Sequence, residues 1–220
     1  MTAETRVERA AAGSWALARW LILATLTWNV VEGIVAITAG VRAGSVALVG
    51  FGLDSSIEVT ASLVLLWRMN AADDAATERR ERTARRIVGA TFIALATYIL
   101  LQAGYVVVTG GSPEASRLGL LLAAASLLVM PGLGIAKRRN AERLHSHALL
   151  AEASETLVCS YLSLTLVIGL GLNAAFGWWW ADIAAALAMV PWIVKEGVEG
   201  IRAQSCAGDC GLTSAEGAPA

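Results

Sequence analysis

The chain has 220 residues, of which 56% are hydrophobic and only 16% are charged, and its formal net charge is −1. This composition is too apolar for an ordinary soluble domain and is typical of a membrane protein. The sequence contains no phosphate-binding loop, dinucleotide fingerprint or Ser/His/Asp arrangement. We therefore expect neither an enzyme nor a nucleotide-driven pump, and we expect no nucleic-acid partner.

Six segments are long and apolar enough to cross about 30 Å of hydrocarbon as helices. The first apolar run is too long for a signal-peptide core and lacks a convincing cleavage site, so we interpret it as a retained membrane helix. The predicted fold class is an all-α membrane protein, with a six-helix transmembrane domain over 14–202. A cytoplasmic N-terminal segment (1–13) and a polar tail expected to be disordered (203–220) flank it. The predicted spans are 14–38, 44–68, 86–108, 117–136, 147–172 and 177–200.

Lysine and arginine residues are unevenly divided between the two sets of connections, with 15 on one side and 2 on the other. Because cytoplasmic loops carry the excess of Lys and Arg, both termini are predicted to be cytoplasmic. The basic stretch between the second and third spans is interpreted as a solvated connection that also meets anionic lipid. The smaller set is Arg42 and Arg117.

 The expected location is therefore a bacterial plasma membrane, with the fifteen basic residues of the larger set on its cytoplasmic side.

The second apolar segment carries two acids near its middle, in the stretch FGLDSSIEVTASLVLLW. Asp54 and Glu58 are four residues apart, so they share one face of a helix. Asp54 is expected ~15 Å from the outer end of its span, close to the midplane. A charged residue there costs on the order of 2.5–3.5 kcal/mol. An ion pair or a hydrogen bond to another helix could offset this cost, but only the first span is expected to hold an Arg or Lys away from its ends.

The fifth segment contains a matching stripe in HALLAEASETLVCSYLS. Glu152, Glu155 and Cys159 recur at helical spacing and share one face. Glu155 and Cys159 are expected ~12 and ~18 Å from the cytoplasmic end, at the same depth as the acids of the second segment. Carboxylates at that depth need a positive partner or must be protonated. Oxygen and sulfur ligands at one depth therefore predict a divalent metal site, although a buried Cys is also often a small apolar residue.

Several other residues are weaker candidates for metal binding. Glu32 of the first segment is either a gate or outer metal waypoint, or an acid that makes a helix-packing hydrogen bond. His145 and His147, at the cytoplasmic mouth of the fifth segment, could collect metal or could be ordinary interface residues. Cys206 and Cys210 in the tail could form a labile capture site, although a C-x-x-x-C pair alone is weak evidence.

The stretches GSVALVGFGLDSSIEVTASLVLLW, AEASETLVCSYLS and WWWADIAAALAMVPWIVKEGVEGIR resemble the second, fifth and sixth helices of cation diffusion facilitators. The resemblance runs from Asn29 to Arg202. In that family the second helix carries D-x-x-x-D and the fifth H-x-x-x-D, whereas this chain has D-x-x-x-E and E-x-x-x-C. The cytosolic metal-binding domain usual in the family is absent from this sequence. The resemblance implies proton-coupled export of Zn²⁺ or a similar divalent ion by alternating access.

The ligand types narrow the choice of metal. Zn²⁺ accepts carboxylate oxygen and thiolate sulfur in tetrahedral geometry, and a thiolate disfavours Mg²⁺ and Ca²⁺. Without imidazole, Cd²⁺, Co²⁺, Fe²⁺ and Mn²⁺ stay open. The resemblance also implies a homodimer, for which small residues such as Ala103 and Gly104 would allow close helix contact. The alternative function is a non-transporting metal sensor or membrane adaptor that keeps the fold without the flux.

Overall fold

The computed structural model describes residues 3–68, 74–144 and 146–202. These residues form six α-helices, as predicted, and the described ranges contain no strand. The helices are α1 (Ala3–Ala43), α2 (Val46–Arg68), α3 (Asp74–Thr109), α4 (Arg117–Arg143), α5 (His147–Phe176) and α6 (Trp180–Arg202).

Five of the six helices, α1 to α5, contain a stretch long and apolar enough to cross a membrane. The sixth, α6, is less apolar because it carries Asp182 near one end and Lys195, Glu196 and Glu199 near the other. It nevertheless packs against α2, α3 and α5 as part of the bundle. The expected six-helix bundle is therefore present, and five of its helices are apolar enough to cross a membrane.

Four helices, α1, α3, α4 and α5, extend by four residues or more beyond their predicted spans. The basic stretch expected to be a connection is helical from Asp74, where α3 begins. The first helix begins at Ala3, before the predicted start at residue 14. At the C-terminal end of α5, residues beyond the predicted span are helical up to Phe176, and Gly177 ends the helix with a φ of 67°. Spans were placed by apolarity alone, and a helix continues past the apolar region wherever its backbone hydrogen bonds can be kept.

Helix α2 lies at the centre of the bundle and contacts α1, α3, α5 and α6. The two helices α2 and α1 pack closely at Gly52. A Cβ atom added to this residue would lie only 2.9 Å from the backbone nitrogen of Ile37. Glycine at this position lets the two backbones approach, as small residues do in membrane bundles. This packing brings the polar residues of α1 beside those of α2.

The N-terminal ends of α2 and α6 are joined by one buried carboxylate. Asp182 of α6 accepts hydrogen bonds from the hydroxyl of Ser45 at 2.5 Å and from the backbone N–H of Val46 at 2.9 Å. Asp182 lies in the first turn of its own helix, but its side chain bonds to the start of α2. A carboxylate there satisfies free N–H groups and complements the helix dipole.

The residues suggested for a dimer interface differ in position. Ala103 is only 3% exposed and packs inside the bundle, so it is unsuited to contact with a second chain. Gly104 is exposed and has open space around its Cα atom. The homodimer itself stays a prediction.

Candidate metal centre

Three of the predicted ligands meet in the interior between α2 and α5. One carboxylate oxygen each from Asp54 and Glu58 and the sulfur of Cys159 all lie within 4.8 Å of one another. The three residues are 3%, 6% and 0% exposed, respectively. We call this group the acid–thiol cluster.

The spacing along α2 and the packing of α5 explain how the cluster assembles. Asp54 and Glu58 face the same way because they are one turn apart. Cys159 is a free thiol on the face of α5 that packs against α2. The side-chain amide of Asn29, on α1, donates a hydrogen bond of 2.6 Å to Oε2 of Glu58 and so restrains that carboxylate from the other side.

No described side chain forms an ion pair with either carboxylate of the cluster. Lys137 of α4 interacts electrostatically with Glu58, but its ammonium group is bonded to Glu152. Two buried carboxylates without a contacting cation are costly unless they bind a cation or a proton. The cluster therefore has the properties expected of a site for a positive ion.

Glu155 lies at the edge of the cluster rather than within the group of three atoms. It borders a small cavity together with Asp54 and Glu58, and the cavity measures about 10 Å³, about the space of one water molecule or bare ion. Glu155 is partly exposed. Trp192 and Glu196 of α6 also line this cavity.

A larger cleft of about 530 Å³ lies between α5 and α6. It shares Glu155, Val158, Trp192 and Glu196 with the small cavity, so the two spaces adjoin. The exposed residue Glu199 adds a third carboxylate to the wall of the cleft, where it pairs at 3.8 Å with Lys195. The three carboxylates outnumber this lysine, so a cation has an acidic approach from the surface towards the acid–thiol cluster.

Glu152 was predicted as a metal ligand because it shares a helical face with Glu155 and Cys159, but its environment is different. Nζ of Lys137 lies 2.5 Å from Oε1 of Glu152 and 3.0 Å from the hydroxyl of Thr156. The same Glu152 oxygen accepts a hydrogen bond of 3.2 Å from Ser62. Lys137 was expected in a cytoplasmic connection, but it is 4% exposed and inside the bundle. The prediction that Lys137 lies in a connection is therefore wrong, because it is a buried residue of α4. Its ion pair already compensates the charge of Glu152.

Glu32 is fully buried on α1 and is separate from the group of three ligand atoms. Its Oε1 accepts a hydrogen bond of 2.5 Å from the hydroxyl of Ser126. The Ser126 oxygen in turn accepts one of 3.0 Å from the indole N–H of Trp28. The helix-packing hydrogen bond considered for Glu32 is thus present, and its other oxygen has no partner.

The remaining candidates lie largely outside the described residues. His145, Cys206 and Cys210 fall in that category. His147 begins α5, but its side-chain surroundings are not among those described. Their suggested role in metal capture stays a prediction.

Several residues that surround the centre were not predicted from the sequence as part of it. The residues with specific contacts or cavity positions are Asn29, Phe92, Ser126, Lys137, Trp192 and Glu196. Asn29 and Lys137 carried a usable signal, because each is a polar residue next to or within an apolar segment. Phe92, Ser126 and Trp192 are ordinary residues of membrane helices, and only the packing of the bundle reveals their position.

The ligand atoms of the cluster suit a divalent ion with some affinity for sulfur. Carboxylate oxygen binds many divalent ions, whereas a thiolate selects Zn²⁺ and softer ions over Mg²⁺ and Ca²⁺. A family model described as the cation efflux transmembrane domain matches residues 22–204, which is most of the chain. The match includes α2, α5 and α6 in full and therefore every residue of the acid–thiol cluster.

Proposed function

The chain belongs to the cation efflux family, and on that premise we propose that it exports Zn²⁺ or a chemically similar divalent ion. Members of this family are multi-pass membrane proteins that move metal cations across membranes. The observation that carries the choice of ion is the burial of two carboxylates and a thiol within 4.8 Å of one another. No cationic side chain among the described residues contacts either carboxylate.

In this proposal Asp54, Glu58 and Cys159 bind the ion directly. Three protein ligands leave a fourth tetrahedral position for water, which is the arrangement of zinc sites that exchange a ligand. An open position suits transport because the ion must leave as well as enter. Asn29 keeps Glu58 oriented through its amide hydrogen bond.

The cleft between α5 and α6 supplies the approach to this site. Its mouth includes Lys195 and Glu199, at the end of α6 that the distribution of basic residues places in the cytoplasm. Glu155 stands where the cleft adjoins the small cavity beside Asp54. At the opposite end, the hydrogen bonds from Ser45 and Val46 to Asp182 join α2 to α6. This arrangement supports entry from the cytoplasm with the outer end closed.

Protons are proposed as the counter-ions. The carboxylates and the thiol must lose their protons to bind a metal, so metal affinity falls as the pH falls. Protons entering from the opposite side would then favour release of the metal. The same titratable ligands thus provide both binding and coupling.

Metal flux into sealed proteoliposomes tests the transport function. The full chain is reconstituted, and uptake of Zn²⁺ or Cd²⁺ is followed with and without an imposed pH gradient. We expect flux that needs no nucleotide and that falls when the gradient is abolished. Flux independent of the gradient would contradict proton coupling, whereas tight metal binding without flux would support the sensor or adaptor function.

A further inference from the structure

Helix α1 carries two buried oxygen atoms that have no hydrogen-bond partner. They are Oδ1 of Asn29 and Oε2 of Glu32. Their residues are 1% and 0% exposed. Because these residues are three positions apart on one helix, their side chains lie on neighbouring parts of the same face.

Both residues are close to the acid–thiol cluster. Asn29 contacts it directly by donating to Glu58. Glu32 interacts electrostatically with both Asp54 and Glu58. The close packing of α1 on α2 at Gly52 explains why a residue of α1 can influence acids of α2 in this way.

The hydrogen bonds of Glu32 do not account for its second oxygen. Ser126 donates to Oε1, and Trp28 donates to Ser126, so this chain of bonds fixes one side of the carboxylate. The free side is buried, and leaving a buried carboxylate oxygen without a partner is costly. A purely structural role would be served as well by a glutamine or another neutral residue.

The balance of charge gives a second argument. The carboxyl groups of Glu32, Asp54 and Glu58 are all buried in one region of the bundle. Lys137 does not contact them, because its ammonium group is bonded to Glu152. Glu32, like Asp54 and Glu58, forms no ion pair with a described residue, so its carboxyl group is open to an external cation.

We propose that Oδ1 of Asn29 and Oε2 of Glu32 form a second binding position for a divalent cation, on α1 beside the acid–thiol cluster. The inference rests on the proposed function and adds a further step to the path of the ion. The α1 position offers oxygen ligands only, whereas the cluster includes sulfur. Oxygen ligands bind soft ions less selectively than thiolate does, so the α1 position discriminates less between metals.

The test counts Cd²⁺ bound to the full chain in lipid nanodiscs by equilibrium dialysis and elemental analysis. Cys206→Ser and Cys210→Ser are introduced throughout, so that thiolate-to-Cd²⁺ absorbance in the ultraviolet reports Cys159 alone. Glu32→Gln keeps the size of the side chain and an oxygen to accept from Ser126, but it removes the charge. We expect this variant to bind one Cd²⁺ fewer per chain and to keep the thiolate absorbance.

Two further variants keep the result interpretable. Glu142→Gln removes an exposed carboxylate of α4 and should leave the Cd²⁺ count unchanged. Glu32→Asp keeps the charge on a shorter side chain and should retain the second ion with lower affinity. An unchanged count in Glu32→Gln would overturn the α1 position, even if the thiolate absorbance confirmed metal at Cys159. Loss of one ion in Glu32→Gln from a chain without thiolate absorbance would support the α1 position and contradict the acid–thiol cluster.

Discussion

Two groups of buried acids in this bundle differ in how their charge is compensated. Glu152 is bonded to Lys137 across α4 and α5 and also accepts a hydrogen bond from Ser62. Asp54 and Glu58 lie with Cys159 and have no contacting cation among the described side chains. Both groups are buried to a similar degree, so burial alone does not separate them. We infer metal binding at Asp54 and Glu58 because no cationic side chain among the described residues contacts them.

The strongest test of this comparison removes the cation from the compensated group. Lys137→Met should lower the free energy of unfolding by about 3–5 kcal/mol, because it leaves Glu152 buried and unpaired. The double variant Lys137→Met with Glu152→Gln should recover much of that loss. Denaturant unfolding in detergent, followed by tryptophan fluorescence, measures both. A loss below about 1 kcal/mol for the single variant would mean that the ion pair is not structurally important.

Removing an acid from the uncompensated group should weaken metal binding without lowering the stability of the metal-free protein. Asp54→Asn should weaken Zn²⁺ binding by about 100-fold or more, since even groups that only support a metal ligand contribute 10–100-fold. The metal-free protein should be at least as stable as the wild type, because a buried charge has been removed. Metal titration, vesicle flux and unfolding measure these effects. The double variant at Lys137 and Glu152 is the matched control, and normal flux in Asp54→Asn would show that the cluster is not the transport site.

Cys159 sharpens the comparison, because we propose that its thiol sets the metal selectivity of the cluster. Cys159→Ala should weaken Zn²⁺ binding by about tenfold, which corresponds to about 1.4 kcal/mol. Cys159→Asp should retain transport and shift the preference from Zn²⁺ and Cd²⁺ towards Mn²⁺ and Co²⁺. Affinity and flux are measured across these ions, with Cys206→Ser as a control for loss of a thiol elsewhere. If Cys159→Ala keeps the affinity and the order of preference, Cys159 serves only in packing.

Glu155 should give the smallest effect. Its side chain is partly exposed at the junction of the cleft and the cavity, so water and salt screen its charge. Glu155→Gln should raise the metal concentration for half-maximal flux by about two- to threefold, with little change in equilibrium affinity. A loss of affinity as large as that expected for Asp54→Asn would instead make Glu155 a direct ligand. Glu199→Gln, farther out along the cleft, is the matched control.

The main features of the fold and part of the centre could be predicted from the sequence. The number of helices follows from apolar length, and the pairing of Asp54 with Glu58 follows from helical spacing. Counting residues from the ends of the two antiparallel helices predicted that Cys159 lies at the same depth as Asp54 and Glu58. These predictions succeed because helix geometry is regular and the thickness of the bilayer limits the choice of spans.

The environment of Glu152 could not be predicted in the same way. It shares a face with Cys159, but seven residues separate them, or ~10 Å along the helix axis. At that level its neighbour is Lys137, which follows the last apolar residues of α4 and so looked like an interface residue. Whether such a lysine reaches water or turns inward depends on the packing of α4 against α5. The bond between Asp182 and the start of α2 was missed for the same reason, since it joins residues more than 130 positions apart.

X-ray absorption at the zinc edge tests the acid–thiol cluster most directly. The full chain with Cys206→Ser and Cys210→Ser is loaded in nanodiscs with one equivalent of Zn²⁺. We predict one sulfur neighbour at ~2.3 Å, with the remaining neighbours being oxygen at ~2.0–2.2 Å. The sulfur contribution should disappear in Cys159→Ala and persist in the double variant Lys137→Met with Glu152→Gln. A zinc environment made only of oxygen or nitrogen in the Cys159-containing chain would contradict the account.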